Sequence, residues 1–151
     1  MEMVNAKLIE EIVRRVIQEQ LSGKELQKFD KSIDVSGVAL VKANTVKCDP
    51  FDTGKRGDQV FLLDVFSLEE SPRMGCGIME MKETEFDWKL CYDEIDYIIE
   101  GTLEITVGGK KVTGKAGDIM FIPRNTTITF GCPDYVRFMY VTYPANWAQQ
   151  T

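Results

Sequence analysis

The chain has 151 residues, enough for one hydrophobic core and a short appendage. Its composition, 44% hydrophobic and 28% charged, is that of an ordinary globular domain, and a net charge of −6 argues against nucleic acid, whose phosphates call for a basic surface. No apolar run approaches a membrane span and no signal-peptide core opens the sequence, so the expectation is a cytoplasmic protein with no membrane partner. Cys48, Cys76, Cys91 and Cys132 are scattered without a C-x-x-C pair and read as free thiols.

The first element is a helix from Ala6 to Leu21. Leu8, Ile9, Ile12, Val13, Val16, Ile17 and Leu21 recur at helical spacing as one apolar stripe, opposite a charged face. Glu10 with Arg14 and Glu11 with Arg15 are i,i+4 pairs in the favourable order, and Gly23 is the expected stop. The stripe fits either of two partners, a groove on another protein or this chain's own β domain. Residues 22–44 read as a polar connector with short β-prone pieces such as Gly37–Val41. The resulting division is 1–22 as an amphipathic candidate docking segment, 23–44 as connector and 45–151 as the main domain.

That domain reads as short strands: Val60–Phe66, Gly77–Lys82, Ile95–Ile99, Leu103–Val107, Lys110–Thr113, Ile119–Ile122, Thr127–Phe130 and Val136–Tyr143. Gly108-Gly109 is a tight hairpin signal, since both turn residues can take positive φ. Many short strands at close spacing, with no exposed edge to spare, point to an antiparallel barrel or jelly roll.

Two motifs sharpen this. FDWKLCYDEIDYIIEG and AGDIMFIPRNTTITF are laid out like the two cupin motifs, with Glu94 at the glutamate position, Gly101 closing the strand, and Gly117 and Pro123 framing the second motif. The three positions where cupins place metal-binding histidines hold Trp88, Leu90 and Ile128, and the chain contains no histidine at all. The resemblance therefore implies a mainly β fold, a cupin-type (RmlC-like jelly-roll) β-barrel preceded by an amphipathic α-helix, without the usual metal site. The run from Asp87 to Trp147, including VRFMYVTYPANW, further resembles the EutQ family of ethanolamine-utilisation proteins. That resemblance implies a homodimer associated with a bacterial microcompartment. It also implies acetate kinase activity, acetyl phosphate and ADP giving acetate and ATP, with ATP and Mg²⁺ as cofactors. Longer members of the family carry an extended segment before the barrel, and this chain is short there.

Alternation along Glu94–Ile99 puts Glu94, Asp96 and Ile98 on one face and Tyr97 on the other. If the first face is interior, two carboxylates meet, and their repulsion raises one pKa enough for a proton carrier. The same pair could instead take Mg²⁺ with several waters kept. Trp88 and Leu90 would make an apolar wall on which a ligand could stack, and Trp88, Phe121 and Phe130 are candidate fillers of the interior. The catalytic candidates are Glu94, Asp96, Tyr92 and Tyr97. The ligand-binding candidates are Lys89 and Arg124, for phosphate, and Trp88; no metal ligand is assigned. Plainer readings stand beside these: Glu94 as a buried structural acid, Asp96 as a solvent-facing residue, the tyrosines as packing, Lys89 and Arg124 as solvated charges.

Gly109 to Lys115 fits the first seven positions of a P-loop, but the eighth is Ala116, and a hairpin stands where the motif needs strand, loop and helix. Three functions remain open: an acetate kinase, a non-enzymatic assembly factor that meets microcompartment shell or cargo proteins through residues 6–21, and a small-molecule-binding cupin lacking a metal site.

Overall fold

Alternating apolar and polar residues, locked by pairing between distant segments, build nine strands in this computed structural model, which describes residues 9–14, 16–17 and 28–151. β1 (Lys31–Ile33) and β2 (Ala39–Val41) form a separate two-stranded hairpin. β3 (Asp49–Pro50), β4 (Val60–Asp64), β5 (Gly75–Leu90), β6 (Asp93–Val107), β7 (Lys110–Lys115), β8 (Ile119–Ile122) and β9 (Thr126–Tyr143) form one antiparallel sheet. Its order is β3-β4-β5-β9-β6-β7, with β8 paired to the first half of β6.

The eight expected strands collapse into six. Ile95–Ile99 and Leu103–Val107 are halves of β6, and Thr127–Phe130 and Val136–Tyr143 are halves of β9. Gly77–Lys82 continues to Leu90 as β5, so the first cupin motif begins on β5 and runs on through Glu94 to Gly101 on β6. Gly131-Cys132-Pro133-Asp134 has the local chemistry of a turn, yet Gly131 and Cys132 are held extended by pairing with β5 on one side, and Gly131 by β6 on the other. Register shifts at Lys82/Thr84 in β5 and at Gly101/Glu104 in β6 let these long strands bend. Gly101 turns at φ +81°, where a Cβ would overlap the Tyr135 carbonyl, which is why the motif closes on glycine.

Met81, Leu90, Ile98, Leu103, Val136 and Phe138 form the centre of the barrel's apolar interior. A second cluster lies outside the sheet, where Val46, Val65 and Ile78 pack with Phe29 and Val41. Arg137 pairs with Glu80 and donates to the carbonyls of Ala43 (2.8 Å) and Val46 (3.1 Å), tying the segment after β2 to β5 and β9.

Residues 9–14 and 16–17 are helical, and Glu10 pairs with Arg14 at 3.1 Å. Ile9, Ile12, Val13, Val16 and Ile17 remain 47–52% exposed, so this part of the stripe is not buried against the barrel of its own chain. The Glu11–Arg15 pair, the ends of the expected helix and the Gly23 stop lie outside the described residues. The P-loop-like run is the β6–β7 hairpin, with Gly108 and Gly109 at φ +55° and +76°. All four cysteines are free.

Candidate functional site: a carboxyl pair in an aromatic barrel

Two adjacent rows of paired residues cross the sheet. One runs Gly75, Thr142, Glu94, Ile122, and the next runs Gly77, Tyr140, Asp96, Met120. Because side chains alternate, both rows turn Glu94, Asp96 and Thr142 to the interior, where they are 6%, 0% and 1% exposed. The reading of Asp96 as solvent-facing is thereby corrected. Gly77 is there for space: a Cβ would overlap the Tyr140 phenol that lies across it. Tyr140 donates to Asp64 Oδ1 at 2.7 Å, and Trp147 Nε1 donates to the same oxygen at 3.3 Å.

Trp147 belongs to a single 3-10 turn, Trp147–Gln149, that brings its indole back over the barrel. Its ring centroid lies 5.9 to 6.5 Å from those of Phe51, Trp88, Tyr92 and Tyr140. Trp88 Nε1 donates to Tyr92 Oη at 2.9 Å. Inside this aromatic box the cavity beside Glu94 is about 20 Å³, room for about one water molecule.

The electrostatics follow from burial without a counter-charge. Burial, then the Asp96 charge and the hydrogen bond with Asp96, push Glu94 well above the usual carboxylate range. Asp96 is raised to about 7 by burial, less a lowering by the hydrogen bond with Glu94. With both groups ionised, neither Asp96 oxygen has a donor among the described residues, and the Thr142 hydroxyl has no partner among them either. A proton on Glu94 supplies the donor, so the pair holds one proton jointly and titrates as a unit. Burial also raises the Tyr92 and Tyr140 hydroxyls, which stay neutral donors.

The structure brings together Glu94, Asp96, Tyr92 and Trp88. It does not bring Tyr97, Lys89 or Arg124 to them. Tyr97 lies on the outer face of β6 beside Ile119, as alternation requires. Lys89 is exposed on β5, one residue out of phase with Trp88, and Arg124 is exposed in the loop after β8, its amide bonded to Asp93. Phe121 is 62% exposed and fills nothing, whereas Phe130 is buried in the core. Leu90 and Ile128, at two of the lost histidine positions, are core residues. Four residues of the site went unread: Asp64, Tyr140, Thr142 and Trp147. Period-two alternation through Tyr140 and Thr142 was the available signal; Asp64 and Trp147 join only through the fold. Among the described residues no three His, Cys, Asp or Glu side chains gather as a metal cluster.

Residues 4–149 match the family model for ethanolamine utilisation protein EutQ. The chain belongs to the EutQ family. Among relatives, the acetate kinase EutQ of Clostridioides difficile is 52% identical over 151 residues, 97% of this chain and 96% of that protein. The acetate kinase EutQ of Salmonella typhimurium is 36% identical over 143 residues, 93% of this chain, which spans 62% of that protein's length. The solved EutQ structure from Clostridium difficile superposes with a TM-score of 0.80 at 54% identity, covering 82% of this chain and 93% of that one. A cupin domain from Schizosaccharomyces pombe, Cnp3, aligns with a TM-score of 0.56 at 18% identity over 72% of this chain and 78% of its own, which shows the shared cupin fold alone. In this cupin barrel Leu90 and Ile128 fill two of the three imidazole positions as core residues, and Trp88 at the third lines the aromatic box.

Proposed function

We propose that this chain is an acetate kinase, transferring a phosphoryl group between acetyl phosphate and ADP. The observation that carries it is the 52% identity to a relative of that name across nearly the whole of both chains. The P–O bond to the acetyl oxygen breaks and a P–O bond to the terminal oxygen of ADP forms, leaving acetate and ATP. Both nucleophiles, acetate in one direction and ADP in the other, are already anions, so the transfer needs no proton carrier. What it needs is positioning and positive charge around the phosphoryl oxygens.

The barrel interior suits that poorly. Two carboxyls without a cation repel phosphate, and a cavity of about 20 Å³ does not take a nucleotide or a Mg²⁺ that keeps its waters. On this reading Glu94 and Asp96 take no step in the transfer, and the pair serves the fold. The test is ATP formation from acetyl phosphate, ADP and Mg²⁺ by the purified chain, alongside E94Q. Activity should appear in both. Absence of ATP from the wild-type chain at millimolar substrates sinks the kinase reading, and loss in a folded E94Q returns the chemistry to the barrel.

The setting we propose is a microcompartment in which the chain pairs with a second copy and docks through its helix. Two features support association. The helical residues present an exposed apolar stripe, and the outer face of β6 and β8 presents Ile95 beside Phe121 and Tyr97 beside Ile119, all exposed.

A further inference from the structure

The kinase reading leaves a nucleotide to be placed, and the interior cannot hold it. A cleft outside the barrel can. It measures about 390 Å³, within the roughly 300–1,000 Å³ typical of small-molecule sites. It opens at the corner where β5 shifts register at Lys82/Thr84 and Cys132 of β9 pairs across it. The loop 55–58 lines one wall, the segment 83–85 another, and Glu104 with residues 131–133 complete it.

The charges of the cleft sort into those already engaged and those free. Asp58 accepts from the Thr53 hydroxyl, and Glu104 pairs with Lys111 at 2.6 Å. Lys55 Nζ donates to the Glu85 carbonyl at 2.6 Å, which draws the loop across the cleft and leaves further ammonium donors available. Arg56, Glu83 and Glu85 have no ion-pair partner among the described residues. The bulge holds Glu83 at φ +43°, a conformation side chains seldom adopt. A planar guanidinium and an ammonium on one wall match phosphate oxygens. Carboxylates on the other match a hydrated Mg²⁺, which binds proteins through one or two carboxylates and a substrate's phosphates.

We propose that this cleft binds a nucleoside di- or triphosphate as its magnesium complex, with Arg56 and Lys55 toward the phosphates and Glu83 and Glu85 toward the cation. The proposal deepens the kinase reading and rests on it for the identity of the ligand. It places the nucleotide outside the barrel, beside the Thr84–Cys132 and Glu85–Gly131 pairs of β5 and β9, and neither Lys89 nor Arg124 lines that cleft.

The test is calorimetric titration of the full chain with MgADP. One site per chain is expected. R56A should weaken it at least about tenfold, as loss of a charge-assisted phosphate contact does. K89A, on the exposed face of the same strand, should leave it unchanged. The double variant E83Q/E85Q should lose the gain that Mg²⁺ gives while still binding metal-free ADP. Equal MgADP affinity in R56A and wild type, or no binding by wild type at millimolar nucleotide, overturns the cleft. ATP formation measured on the same samples separates the two readings. Activity that survives R56E overturns the cleft and spares the kinase. MgADP binding that R56E abolishes, in a chain that makes no ATP, supports the cleft and removes the kinase.

Discussion

Two carboxyls, Glu94 and Asp96, lie buried side by side in the interior of this EutQ chain, and among the described residues no Lys or Arg pairs with either. Both folded-state pKa values lie above their ordinary values of 4.5 for Glu94 and 3.8 for Asp96, the latter at about 7. The folded chain therefore holds protons that the unfolded chain releases. Stability from this source is whole below the unfolded values and is lost as pH rises through the folded ones. The melting temperature should fall from about pH 5 to about pH 8, and it should fall less steeply in D96N, whose amide cannot ionise. Parallel slopes in the two proteins would show that the pair is not the cause. A second prediction concerns Gly77, whose missing Cβ makes way for Tyr140 on its path to Asp64. Gly77→Ala should displace that ring and destabilise the fold by about 1–3 kcal/mol, as overpacking does, measured by urea unfolding.

At the scale of elements, three strands carry the protein: β5, β6 and β9, with 16, 15 and 18 residues. Local signals alone break each of them, because glycine, proline and aspartate read as turns wherever they occur. Pairing with partners far along the chain, such as Glu104 with Gly131 and Thr84 with Cys132, overrides that preference, and the register shifts record where it does so. The short turn that carries Trp147 was invisible for the same reason: its sequence has no periodicity, and only contact with Phe51, Trp88, Tyr92 and Tyr140 orders it. Trp147→Ala should cost about 3 kcal/mol by removing this aromatic closure, and urea unfolding would measure it. Fluorescence quenching of Trp88 by acrylamide should rise in the same variant, because the indole that covers it is gone.

For the whole molecule the open question is what covers its outer apolar surfaces. The exposed stripe of Ile9, Ile12, Val13, Val16 and Ile17 contributes little to the barrel's own stability, so I12E/V16E should shift it by less than about 0.5 kcal/mol. A larger loss would place the helix against its own chain. Pairing through β6 and β8 makes a different demand: sedimentation equilibrium should find a dimer that Y97E/F121E converts to monomer with the fold intact.

Much of this was legible in the order of the residues. Period-two alternation put Glu94 and Asp96 on one face of the strand and Tyr97 on the other, and the absence of histidine removed the imidazole site, because both depend only on local geometry and chemistry; which face is interior came from the fold. Tertiary structure alone decided the rest. It closed the cavity beside Glu94 to about 20 Å³, set Glu94 against Asp96, latched Trp147 to Asp64, and opened a cleft beside Arg56. Each of these is set by side chains from strands far apart in the chain, whose volumes and distances no local pattern contains.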